Sequence, residues 1–529
     1  MVRYRSILEF KMKVSLNFDV KKFINKFGWL WSVLLLWTGA MLTTFMVQYL
    51  LLDAELFDKL SDKKWGMNIL CVLTVYLVML CVTSKVSLSV IVSHCFFMVL
   101  AFINYFVYLF RENEFTFGDL RSIGTGLSVA NNYQLVLHDR GWHVLIATVV
   151  FVVLVYFFPV KFKRTYFVRL LSGLGGVLCG IFVAVNCYDI NTETWEQKGT
   201  YLNGYVLNFV LSARDSVVVA PEGYSLDAIE VLEQEYGQEK ENQMVMLDEA
   251  PTIIVVMNES FADLSVIGEM ETNEPLTPFM DSLEENTIKG YALSSVFGAK
   301  TPNSEWEFLT GNSMAFVPKG AVVYQQYLSD TPTSLVSTLQ NEGYTCVAMH
   351  PYYETGWSRN LVYPDLGFDE TYFMDDFSDA ELIREYVSDK ALYEKIIERY
   401  ESRSVNEDLF IMSITMQNHG GYTKTYENFS EEYYKTGRSY TDANQYFSLI
   451  RESDDALADF IGYFSQVEEP VEIVFFGDHQ PSLNSKFYKL LNGKGLSGLT
   501  MEELEALYTV PFLSGQIMKH QKKQLKLPA

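Results

Sequence analysis

Val471-Glu-Ile-Val-Phe-Phe-Gly-Asp-His479 is an almost continuous apolar run that stops at a glycine and then delivers a carboxylate and an imidazole. Runs of this kind are strands buried on both faces, as in a parallel sheet covered by helices, not the alternating strands of a half-exposed sheet. Three more runs read the same way: Thr252–Met257, followed by Asn258-Glu259-Ser260; Tyr344–Met349, followed by His350; and Leu409–Met416, followed after one residue by Asn418-His419. Helical spacing fills the intervals at Thr331–Asn341, Asp379–Glu401 and Tyr440–Phe464. From Pro251 onward the chain therefore reads as an α/β domain with a mainly parallel sheet, a class that binds ligands at the carboxyl ends of its strands.

Those ends carry the chemistry. Four strands bring a carboxylate or an imidazole to one rim, and three of the seven histidines are used there. Mixed nitrogen and oxygen ligands suit a divalent transition metal such as Mn or Zn better than Mg alone. Phe297-Gly-Ala-Lys-Thr-Pro-Asn-Ser-Glu305 adds a nucleophile candidate. Read by itself, Thr301 is a helix N-cap with Pro302 at the first helical position. The same place lies among free backbone N–H groups at the positive end of the helix dipole, where an anion is stabilised. Metal contact there would make the hydroxyl a nucleophile toward phosphorus. In the segment from His350 to Arg359, Arg359 could hold a phosphate bidentately with Trp357 as a wall; the plainer reading is an ion pair beside a packed aromatic.

The 529 residues are 49% hydrophobic and 20% charged, and the charge is split: residues 1–187 hold 18 Lys+Arg against 10 Asp+Glu, the remainder 23 against 55. Five apolar stretches, near 27–52, 67–82, 88–110, 143–160 and 166–185, have the roughly 20-residue length that crosses a bilayer. The basic segment from Arg3 to Lys26 and the loop with Lys161, Lys163 and Arg164 mark cytoplasmic sides, so five crossings leave the acidic domain outside. Residues 188–250 read as a juxtamembrane linker with helical spacing at Asn208–Arg214 and around Ile229–Tyr236. The loop with Phe115, Phe117, Leu120, Ile123 and Leu127 reads as an interfacial amphipathic helix. A large acidic domain repels nucleic acid phosphates, which excludes nucleic acid as a partner. Beyond Cys187 only Cys346 remains, so there is no disulfide framework, and no CxxC pair offers a structural zinc site.

Taken together, Asn-Glu-Ser (258–260), Gly-x-Lys-Thr-x-x-x-Glu (298–305), His-x6-Trp-x-Arg (350–359), Asn-His (418–419) and Gly-Asp-His (477–479) form an ordered set that resembles the lipoteichoic acid synthase family. The resemblance implies an N-terminal five-helix transmembrane domain, 1–187, and an extracellular α/β sulfatase-like domain of the alkaline phosphatase superfamily, 251–513, in a multi-pass protein of the cell membrane. It implies one divalent metal, manganese first and Mg or Zn as alternatives, held by Glu259, Thr301, Asp478 and His479. Thr301 would be the attacking group, with His350, Trp357, Arg359 and His419 lining a glycerophosphate pocket. The donor would be phosphatidylglycerol, releasing diacylglycerol, and the acceptor a glycolipid or teichoic-acid-type polymer. Either His419 or His350 could protonate the leaving alkoxide.

The chain departs from the family at Gly420-Gly421-Tyr422, where many members place bulkier residues, and at its end. Tyr508–Leu513 reads as another buried strand followed by a polar tail, 514–529, and the expectation is a truncated or altered C-terminus. A sulfatase proper would need a Cys/Ser-x-Pro-x-Arg nucleophile context; Thr301 is followed by Ser304 and Glu305 with no Arg. A phosphoethanolamine transferase also uses a threonine but resembles disulfide-stapled proteins, and it stands as the alternative beside a sulfatase-fold membrane protein that has lost catalysis.

The topology makes a direct prediction. In a Cys346→Ser background, Glu239→Cys is expected to react with an impermeant thiol reagent on intact cells; labelling only after lysis would invert the orientation.

Overall fold

The computed structural model describes residues 28–517 apart from 52–59, 112–113, 123–136, 158–164, 189, 191–198, 217–219, 221–222, 237–249, 319, 329–331, 423, 438–439 and 495–498. The chain divides into two compact units.

In the first unit five helices are long and apolar enough to cross a bilayer: α1 (Gly28–Leu51), α2 (Asp62–Thr83), α3 (Val86–Arg111), α4 (Asp139–Tyr156) and α5 (Thr165–Cys187). α2 begins five residues before the apolar run because Ser61 caps it, accepting from the Lys64 N–H, so Lys63 and Lys64 fall inside the helix. Gly173, Gly176 and Gly180 of α5 sit against Cys81, Leu77 with Val78, and Thr74 of α2, the small-residue contact that lets helices approach in an apolar solvent. The connector begins with α6 (Gly199–Asn203) and continues into α7 (Tyr205–Asp215), with α8 (Leu226–Tyr236) beyond it. α7 starts three residues earlier than its spacing suggests because Asn68 and Gln48 accept from the N–H groups of Leu207 and Tyr205.

The second unit holds a seven-stranded sheet in the order β2-β9-β8-β1-β7-β3-β4. Its elements are β1 (Thr252–Asn258), β2 (Thr287–Leu293), α9 (Thr301–Thr310), α10 (Leu335–Asn341), β3 (Thr345–Met349), α11 (Arg359–Leu366), β4 (Glu370–Tyr372), β5 (Leu382–Ile383), β6 (Tyr386–Val387), α12 (Asp389–Glu401), β7 (Leu409–Ile414), α13 (Thr441–Phe464), β8 (Val471–Gly477) and β9 (Thr509–Ile517). β8, β1, β7, β3 and β4 are mutually parallel, whereas β9 runs antiparallel to β8 and β2 antiparallel to β9. Alternate residues of β1 enter two separate cores: Ile254 and Val256 pack toward α12 and α13, Val255 and Met257 toward α9, α10 and α11.

Several expectations are corrected. The helix expected from Asp379 begins only at Asp389, where Ser388 caps it, and residues 382–387 fold back as the β5–β6 hairpin. The helix expected from Thr331 begins at Leu335, fixed by a reciprocal capping box between Ser334 and Ser337; Thr331 lies outside the described residues. The strand expected to stop at Leu513 continues to Ile517, because its backbone is paired on both sides and does not need apolar side chains to stay in the sheet. Among its described residues the amphipathic loop forms a 3-10 turn, Gly118–Ser122, and Phe115 and Phe117 pack against Phe209 of α7; Ile123 and Leu127 lie outside the described residues.

Gly477 closes β8 against the carbonyl of Phe261, and a Cβ there would lie 1.8 Å from that oxygen. Gly477→Ala is expected to destabilise the protein by about 3 kcal/mol, read as a lowered melting midpoint in scanning fluorimetry of the full chain. Gly462→Ala, in the last turn of α13 with nothing within 4 Å of the new carbon, is the control. It should be neutral or stabilising by roughly 0.5–1 kcal/mol.

Candidate active site

The register of the parallel strands builds the site. Asn258 of β1 pairs with Gly477 of β8, so the next residues, Glu259 and Asp478, emerge side by side from adjacent strands. Ser260 then turns with φ +53°, a left-handed conformation that costs a non-glycine residue strain and here lets its N–H donate to Asp478 Oδ1 at 2.7 Å. The N–H of His479 donates to the same oxygen at 2.7 Å. The backbone carbonyl of Asp478 accepts from the hydroxyls of Ser294 (2.7 Å) and Ser304 (2.8 Å), fixing the end of β8 against α9. Thr415, just past β7, accepts the Glu259 N–H at 3.0 Å.

Glu259, Asp478 and His479 are buried, and each offers a ligand atom within 4.8 Å of the others. His479 Nδ1 lies 3.0 Å from the carbonyl of Gln480, to which a protonated Nδ1 donates; Nε2 is then left with its lone pair directed inward. His479 Nε2 and Asp478 Oδ2 lie 3.2 Å apart, and neither has a hydrogen-bond partner among the described residues. Burial, with the charge of Glu259 beside it, pushes the Asp478 carboxyl up to about 7. An imidazole nitrogen 3.2 Å from one carboxylate and 3.9 Å from a second, with two of these ligand atoms outside any hydrogen bond, fits a divalent cation.

Thr301 is the first residue of α9, not its cap. Lys300 takes the cap position with φ +73° and no side-chain cap bond, and its Nζ reaches the carbonyl of Gly320. The Thr301 hydroxyl is therefore not used in capping; it donates to Glu259 Oε2 at 3.1 Å, which joins it to the ligand cluster.

Of the other predicted residues, Arg359 and His350 join in a second group with Glu305. Arg359 is fully buried, donating to Glu305 Oε2 from Nε (3.1 Å) and Nη2 (2.8 Å) and to His350 Nε2 from Nη1 (3.1 Å). Since a guanidinium only donates, His350 Nε2 accepts, and Nδ1 carries the proton given to the Ile414 carbonyl at 3.2 Å. Burial, followed by the Arg359 cation, holds His350 well below the usual imidazole range. Trp357 and Ser358 are consecutive left-handed residues at φ +54° and +62°, and Trp357 is half-buried. His419 is half-buried with Nδ1 3.1 Å from the Tyr386 hydroxyl, and burial lowers its pKa.

The sequence did not point to Ser294, Thr415, Asp389 or Arg384 as parts of this region. Asp389, at the start of α12, accepts from Asn258 Nδ2 (2.7 Å) and Ser453 Oγ (2.6 Å), while Asn418 Nδ2 donates to Asn258 Oδ1 (2.8 Å) and Ser453 Oγ (2.9 Å). This network is fully buried beneath the strand ends, and only Asn258 and Asn418, next to Glu259 and His419, carried a sequence signal.

Residues 251–525 match the family described as Sulfatase. A Rhizobium meliloti protein named for cyclic beta-1,2-glucan modification is 30% identical over 312 residues, 57% of this chain and 46% of that protein. Lipoteichoic acid synthase of Staphylococcus saprophyticus is 29% identical over 237 residues, 43% of this chain and 35% of the synthase. The chain thus spans less than half the length of these relatives. Among solved structures, the phosphoglycerol transferase GacH of Streptococcus pyogenes, in complex with sn-glycerol-1-phosphate, superposes with a TM-score of 0.50 at 23% identity, covering 58% of this chain and 79% of its own. The integral membrane lipooligosaccharide phosphoethanolamine transferase EptA of Neisseria meningitidis superposes with a TM-score of 0.51 at 14% identity over 90% of this chain and 88% of its own. At these identities the two structures show the fold alone, in keeping with five long apolar helices followed by the Sulfatase-matching α/β domain.

The ligand cluster makes a measurable prediction. Asp478→Ala is expected to lower Mn affinity of the full-length protein by at least roughly tenfold in titration calorimetry, because it removes a charged oxygen ligand. Equal affinities in variant and parent would place the cation elsewhere.

Proposed function

The chain belongs to the sulfatase family, and from that premise we propose that it is a metal-dependent phosphoglycerol transferase of the cell membrane, its C-terminal domain outside. In this reading it moves glycerophosphate from phosphatidylglycerol to a glycolipid or teichoic-acid-type acceptor. The observation that carries the proposal is Thr301 Oγ1 at the helix N-terminus, bonded to Glu259 beside Asp478 and His479. Support also comes from the glycerol-phosphate complex of GacH and from the lipoteichoic acid synthase relatives. The family name does not extend to sulfate ester chemistry here, since Thr301-Pro-Asn-Ser-Glu305 lacks the Cys/Ser-x-Pro-x-Arg context.

Glu259, Asp478 and His479, with the Thr301 hydroxyl, would hold one divalent cation, manganese by the family resemblance. When bound, that cation acidifies the hydroxyl and offsets negative charge on the phosphoryl oxygens. Thr301 Oγ1, giving up its proton to Glu259 Oε2, to which it already donates, attacks phosphorus; a new P–O bond forms and the bond to the diacylglycerol oxygen breaks. The positive end of the α9 dipole faces the charge that develops on the phosphoryl oxygens. Arg359 and Trp357 line the glycerophosphate side, Arg359 held in place by Glu305.

Of the two imidazoles, the proposal gives proton transfer to His419. Both nitrogens of His350 are engaged, one with the Ile414 carbonyl and one with Arg359, so His350 serves to orient the guanidinium. His419 protonates the leaving alkoxide and later accepts the proton of the acceptor hydroxyl as the acceptor oxygen displaces Thr301 from phosphorus.

Thr301→Ala is expected to fold yet release no diacylglycerol from phosphatidylglycerol, with Thr301→Ser keeping part of the activity. Mass spectrometry of protein quenched in turnover should find one glycerophosphate on the peptide containing Thr301. Release at the parent rate by the Ala variant would defeat the covalent mechanism. Loss of a different head group from a labelled phospholipid panel would move the assignment to that donor class, phosphoethanolamine included.

A further inference from the structure

A buried arginine that the sequence gave no reason to single out lies against His419. β5 and β6 pair with Ile383 opposite Tyr386, so Arg384 and Glu385 form a two-residue turn. Arg384 adopts φ +58° at a position where glycine or asparagine is the unstrained choice. Its side chain is nonetheless only 4% exposed.

Among the described residues the guanidinium has no carboxylate partner. Nη2 donates to two backbone carbonyls, Gln417 at 2.8 Å and His419 at 2.7 Å, while Nε and Nη1 are buried without a hydrogen-bond partner. The neighbouring Glu385 pairs instead with Lys424 and Tyr426. What surrounds the cation is aromatic: its central carbon lies 5.4, 5.5 and 6.0 Å from the ring centres of Tyr386, Tyr422 and Tyr426. Tyr386 in turn places its hydroxyl 3.1 Å from His419 Nδ1.

A strained backbone and an uncompensated buried charge both work against stability, so their return is to be sought in what they hold. They hold the turn that carries His419. Nη2 draws together the carbonyls on either side of Asn418, and the Tyr386 ring that stacks on the cation fixes the imidazole at its other edge. The geometry points to Arg384 as a positioning residue for His419, keeping the imidazole in the orientation that proton transfer at the phosphoryl group requires. The inference rests on the proton-transfer role given to His419 above.

Arg384→Gly removes the guanidinium and relieves the left-handed backbone at the same time, so the variant is expected to fold with a melting midpoint close to that of the parent. With full-length protein, Mn and phosphatidylglycerol carrying a fluorescent acyl chain, its kcat should fall by roughly 10- to 100-fold while KM stays within about threefold. Added guanidinium ion should restore part of kcat, and Arg384→Lys should fall between the two. A parent-like kcat overturns the inference. So does a rise in KM alone, which would make Arg384 a substrate-binding group, or a lowered midpoint with no guanidinium rescue, which would make its role structural. His419→Gln is run alongside. If it is inactive while Arg384→Gly is parent-like, this inference alone fails; if it turns over at the parent rate, the role assigned to His419 fails and this inference with it.

Discussion

Two carboxylates from adjacent parallel strands are buried side by side, and the rest of the C-terminal domain is arranged around the cost of keeping them there. Like charges in an interior of low dielectric are strongly disfavoured unless each oxygen is bonded or neutralised. One oxygen of Asp478 is satisfied by two backbone N–H groups, one oxygen of Glu259 by the Ser260 hydroxyl and the other by Thr301. The remaining atoms, Asp478 Oδ2 and His479 Nε2 with its lone pair, lie 3.2 Å apart with no hydrogen-bond partner among the described residues. The strain at Ser260 and the close approach at Gly477 both follow from bringing these groups to one point.

Around that point the polar residues divide into three sets with separate tasks. Glu305, Arg359 and His350 form a buried ion pair extended by an imidazole, linking α9 to the start of α11. Such a pair contributes little net stability once desolvation is counted, so its value lies in fixing geometry. Asn258, Asn418, Ser453 and Asp389 tie the ends of β1 and β7 to α12 and α13, and burial pushes the Asp389 carboxyl up to about 6. The third set, Arg384 with its tyrosines, carries its positive charge on aromatic faces.

The N-terminal unit obeys another physics. Apolar surface there gains nothing from leaving water, so contact is made by glycines and by a few buried polar side chains, among them Thr43, which lies 2.7 Å from both Tyr76 and His94. Asn68 ties α2 to the connector through the carbonyl of Asn203 and the N–H of Leu207. Gly204, at φ +78°, is required at that junction because a Cβ would meet Gln48 and Asn68.

The existence and class of the main elements were legible in the chain because long apolar runs and helical periodicity are local properties. The five apolar helices and the buried strands are of this kind, and the candidate site residues just past each strand stood out because a parallel sheet sends its carboxyl ends to one side. Tertiary structure decided where local signals compete or are silent. The β5–β6 hairpin replaced the first part of a helix that spacing favoured, and β9 ran on through polar residues because pairing on both sides satisfied its backbone. It also decided what each polar side chain meets: Arg359 meets Glu305 and His350, Thr301 meets Glu259 instead of capping its helix, and Arg384 meets the carbonyls flanking Asn418. These partners lie from 9 to 54 positions away along the chain, beyond the reach of any local pattern, and only the packing of the sheet and its helices brings them together.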